Sequence, residues 1–141
     1  MYEKTKPYWK KDVDPIVRLM AKESDIEWKT GTDTKGNPRT RFKRLTGPES
    51  GSKQMIAGLM EVIPGRTFHL HHHEDAEEFY YVLKGKAKVT LDDEEFEATP
   101  GTFFYIPAGC PHRTVNHTNE PFVVIYGLNC TYYRRTWDES H

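Results

Sequence analysis

Four of the seven histidines in this chain fall within residues 69–73, and the acidic run Glu74-Asp75-Ala76-Glu77-Glu78 follows at once. Imidazole nitrogens beside a carboxylate form a borderline nitrogen and oxygen donor set, suited to Fe, Mn, Ni, Cu or Zn. On an extended strand His69, His71 and His73 share one face and His72 takes the other. At a rise of about 3.3 Å per residue, His71 and His73 sit roughly 7 Å apart at Cα, close enough for their rings to converge on one ion. If the chain reverses through the acidic run, Glu77 or Glu78 returns beside the histidines, and spacing alone leaves both open. His112 is a further candidate ligand. It follows Pro107-Ala108-Gly109-Cys110-Pro111, a rigid turn able to aim a side chain into a barrel mouth. No Ser-His-Asp or Cys-His nucleophile set and no glycine-rich phosphate loop is legible.

These residues need a scaffold, and the patterning around them is that of strands. From residue 40 onward the hydrophobic period is 2. Residues 54–63 read as a strand with Met55, Ala57, Leu59 and Ile63 on one parity. Residues 77–83 are aromatic and β-branched. Residues 86–91 alternate Lys86, Lys88 and Thr90 outward against Ala87, Val89 and Leu91 inward. Residues 102–106, 112–117 and 122–126 complete the set, separated by Gly, Pro and Asn turn signals. Many short strands with no helical period between them predict an all-β sandwich or barrel. Before residue 40 the signal is weak. Asp14 and Pro15 are placed to cap and start a short helix running to residue 21.

Two segments match motifs at every fixed position. Residues 65–85 carry Gly65, His71, His73, Glu78 and Gly85 in the pattern G-x5-H-x-H-x4-E-x6-G. Residues 101–116 carry Gly101, Pro107, Gly109, His112 and Asn116 in the pattern G-x5-P-x-G-x2-H-x3-N. In both, the chain resembles the cupin family, over roughly residues 54–127. The resemblance implies an all-β, double-stranded β-helix (jelly-roll) barrel at residues 40–135. An irregular or partly helical N-terminal arm at 1–39 precedes it and a tail at 136–141 follows. It also implies that His71, His73, Glu78 and His112 bind one divalent metal ion inside the barrel, which selects Glu78 over Glu77. Gly85 then serves the hairpin turn and Gly109 a turn needing positive φ, with Pro107 fixing the loop before His112.

Four protein ligands on an octahedral ion leave two open positions, which suit a chelating oxygenated substrate or one substrate atom plus dioxygen. Fe(II) is therefore the favoured ion, with Mn, Zn, Ni or Cu as alternatives, and a dioxygenase is the favoured activity. A metal-dependent lyase or isomerase and a non-catalytic small-ligand-binding protein are the rival readings. Tyr80 shares Glu78's parity and His69 that of the other ligands; both are candidate catalytic residues, against plainer readings as a packed core aromatic and a barrel-rim residue. Arg41, Arg66 and Arg113 are candidates to clamp a substrate carboxylate. Asn116 reads as a support of the fold, His72 and His117 as exposed, and Cys110 as an inert thiol.

Composition sets the remaining expectations. Eight Tyr, seven Phe and three Trp supply buriable area, and net charge is only −1. Residues 1–47 hold twelve Lys or Arg against seven Asp or Glu, but the charges are interspersed and read as a solvated arm, with no nucleic-acid partner. There is no apolar run of membrane-spanning length and no leader-like start, and two cysteines make no disulfide framework, so the expected compartment is the cytoplasm. Phe79, Tyr81 and Leu83 face outward by parity, and an apolar outer face predicts a homodimer. Tyr8, Trp9 and Trp28 of the arm are placed to cross to the second barrel.

Overall fold

The computed structural model describes residues 17–141. Eleven strands run in chain order: β1 Lys29–Thr32, β2 Pro38–Thr46, β3 Ile56–Val62, β4 Thr67–His72, β5 Glu78–Lys84, β6 Ala87–Leu91, β7 Glu94–Ala98, β8 Phe103–Ile106, β9 His112–Val115, β10 Phe122–Leu128 and β11 Thr136–Trp137. They form two antiparallel sheets, ordered β1-β2-β3-β10-β5-β8 and β11-β4-β9-β6-β7. Neighbours far apart in sequence, such as β10 between β3 and β5, give the jelly-roll crossover that the motifs imply. β1 and the start of β2 fall within residues 29–39, so part of the expected arm pairs into the barrel. β11 likewise attaches residues 136–137 to β4 through the register Trp137↔His71.

The inner faces of the sheets bury Ile56, Met60, Val62, Phe68, Tyr80, Val82, Val89, Ile106, Phe122 and Val124, each at 3 % exposure or less. Burying side chains of this size contributes about 1.5–3 kcal/mol apiece. Strand alternation follows expectation in β5 and β6, where Tyr80, Val82, Ala87 and Val89 point inward. In β3 the expected parity is reversed: Ile56, Met60 and Val62 are the core residues and Met55 is exposed. The reason is that residues 58–62 are buried on both faces, so the apolar pattern does not choose between them.

Turn chemistry holds the hairpins. Gly85 has φ +80°, and a side chain there would collide with the Pro121 carbonyl, so only glycine closes the β5–β6 turn. Gly109 has φ +82° and its N–H donates to His73 O at 2.8 Å, pinning the turn before β9 against the end of β4. Of the expected short helix, residues 17–21 are non-helical, and Asp14 and Pro15 lie outside the described residues, as do Tyr8 and Trp9. Trp28 lies under Arg41 and Lys43 of its own barrel, at 5.1 and 5.0 Å. No helix among the described residues is long and apolar enough to cross a membrane.

Candidate metal centre

His71 and its neighbours are brought together by three strand ends. β4 carries His71 and leads into His73, β5 opens with Glu78, and β9 opens with His112, paired directly across from His71. All four are buried, at 1 %, 4 %, 6 % and 2 % exposure. The His71 and His112 ring centroids are 4.2 Å apart, those of His71 and His73 5.2 Å, and those of His73 and His112 5.6 Å. One ligand atom from each ring lies within 4.8 Å of the others. Glu78 Oε1 stands 3.3 Å from His112 Nε2 and 3.8 Å from His73 Nε2.

The backbone sets the tautomer of each ring. Nδ1 of His71 donates to His69 O at 2.7 Å, Nδ1 of His73 to Arg134 O at 2.9 Å, and Nδ1 of His112 to Cys110 O at 3.0 Å. A carbonyl oxygen only accepts, so in each neutral ring the proton sits on Nδ1 and Nε2 offers a lone pair. Burial pushes the His71 and His73 imidazoles well toward the neutral form, and for His71 the neighbouring His112 adds to the effect. The Nε2 atoms of the three rings thus face one another, with the Glu78 carboxyl beside those of His73 and His112. Nε2 of His71, Nε2 of His112 and Oε1 of Glu78 have no hydrogen-bond partner. Buried acceptors without a donor are costly, at about 1–3 kcal/mol each, and a cation at their centre satisfies all of them.

The other sequence candidates sit elsewhere. His69 does not share the cluster's face. Phe68 pairs with Thr114 and His71 with His112, so three residues of β4 advance against two of β9. This bulge puts Phe68 inside, stacked on His71 at 4.4 Å, and turns the His69 ring to Arg39 Nη1 at 3.2 Å. Tyr80 is 2 % exposed, edge-on to Phe104 at 5.1 Å and 6.3 Å from the His112 ring. Burial raises its phenol well above the ordinary range, with the Glu78 charge adding to it. The three arginines proposed as clamps are engaged by other carboxylates: Arg41 by Glu61, Arg66 by Asp33 at 2.8 Å and Arg113 by Glu139 at 2.8 Å. His72, expected to be exposed, is mostly covered and bonds Asp138 at 2.8 Å, whereas His117 is exposed. Asn116 is fully buried and bonds the backbone of Val62, Thr118 and Glu120. Burial raises the Cys110 thiol, as an inert cysteine requires.

One cavity reaches the cluster and a second adjoins it. The inner one, about 10 Å³, is lined by His71, His73, Glu78 and Tyr80 among others, and is barely large enough for one small species. The outer one, about 590 Å³, shares Phe42, Tyr126, Tyr133 and Arg135 with it. Tyr126 continues the inward parity of β10, the one signal in the sequence that marks it as a pocket residue. Tyr133 and Arg135 lie in the irregular segment between β10 and β11, where no periodicity marks them.

A two-sheet barrel holding three convergent imidazoles, with a carboxylate beside two of them, is the architecture of a small jelly-roll protein with a site suited to a divalent metal. The Cupin domain family model matches residues 58–127, and the chain belongs to that family. It is 39% identical over 82 residues to an uncharacterised protein of Methanocaldococcus jannaschii, an alignment covering 58% of this chain and 62% of that one. It is 37% identical over 86 residues to the dimethylsulfoniopropionate lyase DddW of Ruegeria pomeroyi, covering 60% of this chain and 55% of that one. The chain therefore spans less than two thirds of these relatives. Among solved structures it resembles the polyketide cyclase RemF from Streptomyces resistomycificus, with a TM-score of 0.72 and 22% identity over 87% of this chain and 88% of that one, a likeness of fold.

Proposed function

We propose that the protein is a mononuclear metal-dependent enzyme acting on a small oxygenated organic molecule. The observation that carries this is the convergence of three imidazoles whose Nδ1 atoms are held by backbone carbonyls, with Glu78 beside them and no hydrogen-bond partner for His71 Nε2, His112 Nε2 or Glu78 Oε1. Nε2 of His71, His73 and His112 and the Glu78 carboxylate would hold one divalent ion, for which Fe(II) is the first candidate and Mn, Zn, Ni and Cu are the others. Bound there, the ion supplies Lewis-acid polarisation of a substrate oxygen, or redox chemistry if it is iron.

The chain's own groups favour non-oxidative chemistry, a lyase or isomerase step, over the dioxygenase reading suggested by ligand type alone. Tyr80 stays a neutral phenol at physiological pH because burial opposes its charged form. Its hydroxyl can donate a hydrogen bond, or a proton, to an oxygen on which negative charge develops. Tyr126, pushed up to about 12 by burial, is a second neutral donor lining both cavities. Phe42, Met60, Phe68 and Leu128 line the inner cavity and keep bulk water from it. Similarity to a protein named as a lyase supports the same choice. The two free cysteines suit a reducing compartment, the cytoplasm.

The test is metal content of untagged protein purified without added metal, beside a His71→Ala/His112→Ala double variant. Near-stoichiometric metal in the wild type and none in the variant is the expected result. Turnover of small carboxylates, enols and diols then separates the classes. Product without oxygen uptake, slowed in Tyr80→Phe, supports the lyase or isomerase reading. Stoichiometric oxygen uptake returns the dioxygenase. Metal binding with no turnover of any substrate leaves a ligand-binding protein.

A further inference from the structure

Arg135 is the one cationic side chain that lines both cavities. Its guanidinium carbon lies 4.9 Å from the Phe68 ring centroid and 5.3 Å from that of Trp137, so aromatic packing holds it in place. Its Nε is buried and has no hydrogen-bond partner. No carboxylate among the described residues pairs with it, in contrast to Arg41, Arg66 and Arg113. An arginine fixed by packing with an unmet buried donor is prepared for an anion that arrives from outside. The outer cavity adds Arg18, Lys29 and Arg44 against Glu27 and Glu49, so that with Arg135 its wall carries a surplus of two positive charges. Arg44 spends little of its charge on Glu49, at 3.4 Å with both side chains substantially exposed. Tyr126 and Tyr133 place two phenols on the same wall.

We infer that the outer cavity is an oxyanion-recognition subsite, and that the substrate carries a carboxylate or phosphate head bound by Arg135, with Arg44 and the Tyr126 and Tyr133 hydroxyls around it. The inference deepens the proposed function: the head group sits against Arg135 while the reacting oxygen reaches the histidine cluster. A volume of about 590 Å³ fits a small organic acid or phosphoester. A planar guanidinium offers two parallel N–H donors to a carboxylate or phosphate, a geometry that a lysine does not reproduce.

The experiment is titration calorimetry on full-length protein with succinate, inorganic phosphate and neutral succinamide as probes. Each is run on metal-loaded and on chelator-treated protein, with metal content measured in parallel. Succinate or phosphate binding in both metal states, with succinamide silent, is expected, and the preferred probe identifies the head group. Arg135→Gln should weaken that binding by about tenfold to a hundredfold, the range for hydrogen bonds to a charged group. Arg44→Gln should weaken it by a smaller factor, and Arg113→Gln should leave it unchanged. Equal affinity in wild type and Arg135→Gln overturns the inference, as does equal binding of succinamide. A protein that holds stoichiometric metal yet binds neither anion overturns this inference and leaves the metal reading intact. Anion binding in a protein that takes up no metal does the reverse. Should Arg135→Gln fail to fold, protection of Arg135 from phenylglyoxal by the preferred anion, read by peptide mass spectrometry on wild type, decides the matter, and unprotected labelling overturns the proposal.

Discussion

Replacing Glu78 with glutamine has opposite effects on stability with and without metal. In the metal-free protein a Glu78 carboxyl oxygen, on a side chain 6 % exposed, stands 3.3 Å from His112 Nε2, which is an acceptor as well in the neutral ring whose Nδ1 donates to the Cys110 carbonyl. Acceptor faces acceptor, and neither Glu78 Oε1 nor His112 Nε2 has a donor. A glutamine of the same shape places an N–H there. Relief of one such orphan is about 1–2 kcal/mol, and at about 3 °C per kcal/mol for a chain of this size the chelated variant melts roughly 3–6 °C above chelated wild type. With metal at a hundredfold excess over its dissociation constant, wild type gains about 2.7 kcal/mol, or roughly 8 °C. Loss of the one anionic ligand, if it weakens metal binding a hundredfold, removes most of that gain, so the ranking inverts and wild type melts higher. Scanning calorimetry of both proteins, with chelator and with added Fe(II) under argon or Zn(II), reads the four melting temperatures. A Glu78→Gln protein that melts below wild type by the same amount in both conditions would refute the reasoning, because Glu78 would then be a plain structural acceptor.

Three further outcomes follow from other parts of the fold. Asn116→Ala removes bonds to Val62 O at 2.9 Å, Glu120 O at 2.8 Å and Thr118 N at 3.0 Å from a fully buried site; the expected loss is about 3–4 kcal/mol, read as a lower urea midpoint, and a loss under 1 kcal/mol contradicts the role. Asp33 is held down to about 2, first by the Asn37 backbone N–H, with Lys35 and Arg66 contributing. Its folded value lies below its unfolded 3.8, so the stability it gives is present above pH 4 and is lost as pH falls toward 2. The melting-temperature advantage of wild type over Asp33→Asn should therefore shrink across that window, and an advantage independent of pH would count against it. The outward strip of Phe79, Tyr81, Leu83, Phe103 and Tyr105, 36–59 % exposed, leads us to expect a homodimer. Light scattering at micromolar concentration should give a dimer mass for wild type and a monomer for Phe79→Ser/Phe103→Ser, and a wild-type monomer would end that expectation.

The legible part of the site is the part that local geometry controls. His71, His73 and Glu78 come from two consecutive strand ends, and His112 follows a turn whose glycine takes the positive φ that its type allows. Period-2 alternation then placed Tyr80 and Val82 inside correctly, because β5 is exposed on its other face. The same rule failed in β3, where both faces are covered, and at His69, where one extra residue in β4 shifts the face of everything before it. A bulge of this kind leaves no mark in a run of alternating residues.

Arg135 escaped sequence reading for a different reason. The segment after β10 has no period, and its position is fixed by long-range contacts: His73 Nδ1 on Arg134 O, and β11 paired across β4. These contacts tie the segment to the histidine cluster itself. Arg134 O sets the tautomer of His73, and the next residue, Arg135, presents its guanidinium over Phe68, which stacks on His71. The cluster and the anion-facing wall are thus held by one short stretch of chain. A change in residues 131–137 should then alter head-group recognition and His73 orientation together. Shortening this segment by one residue should cost both anion affinity and metal affinity, whereas Arg135→Gln should reduce the first and spare the second.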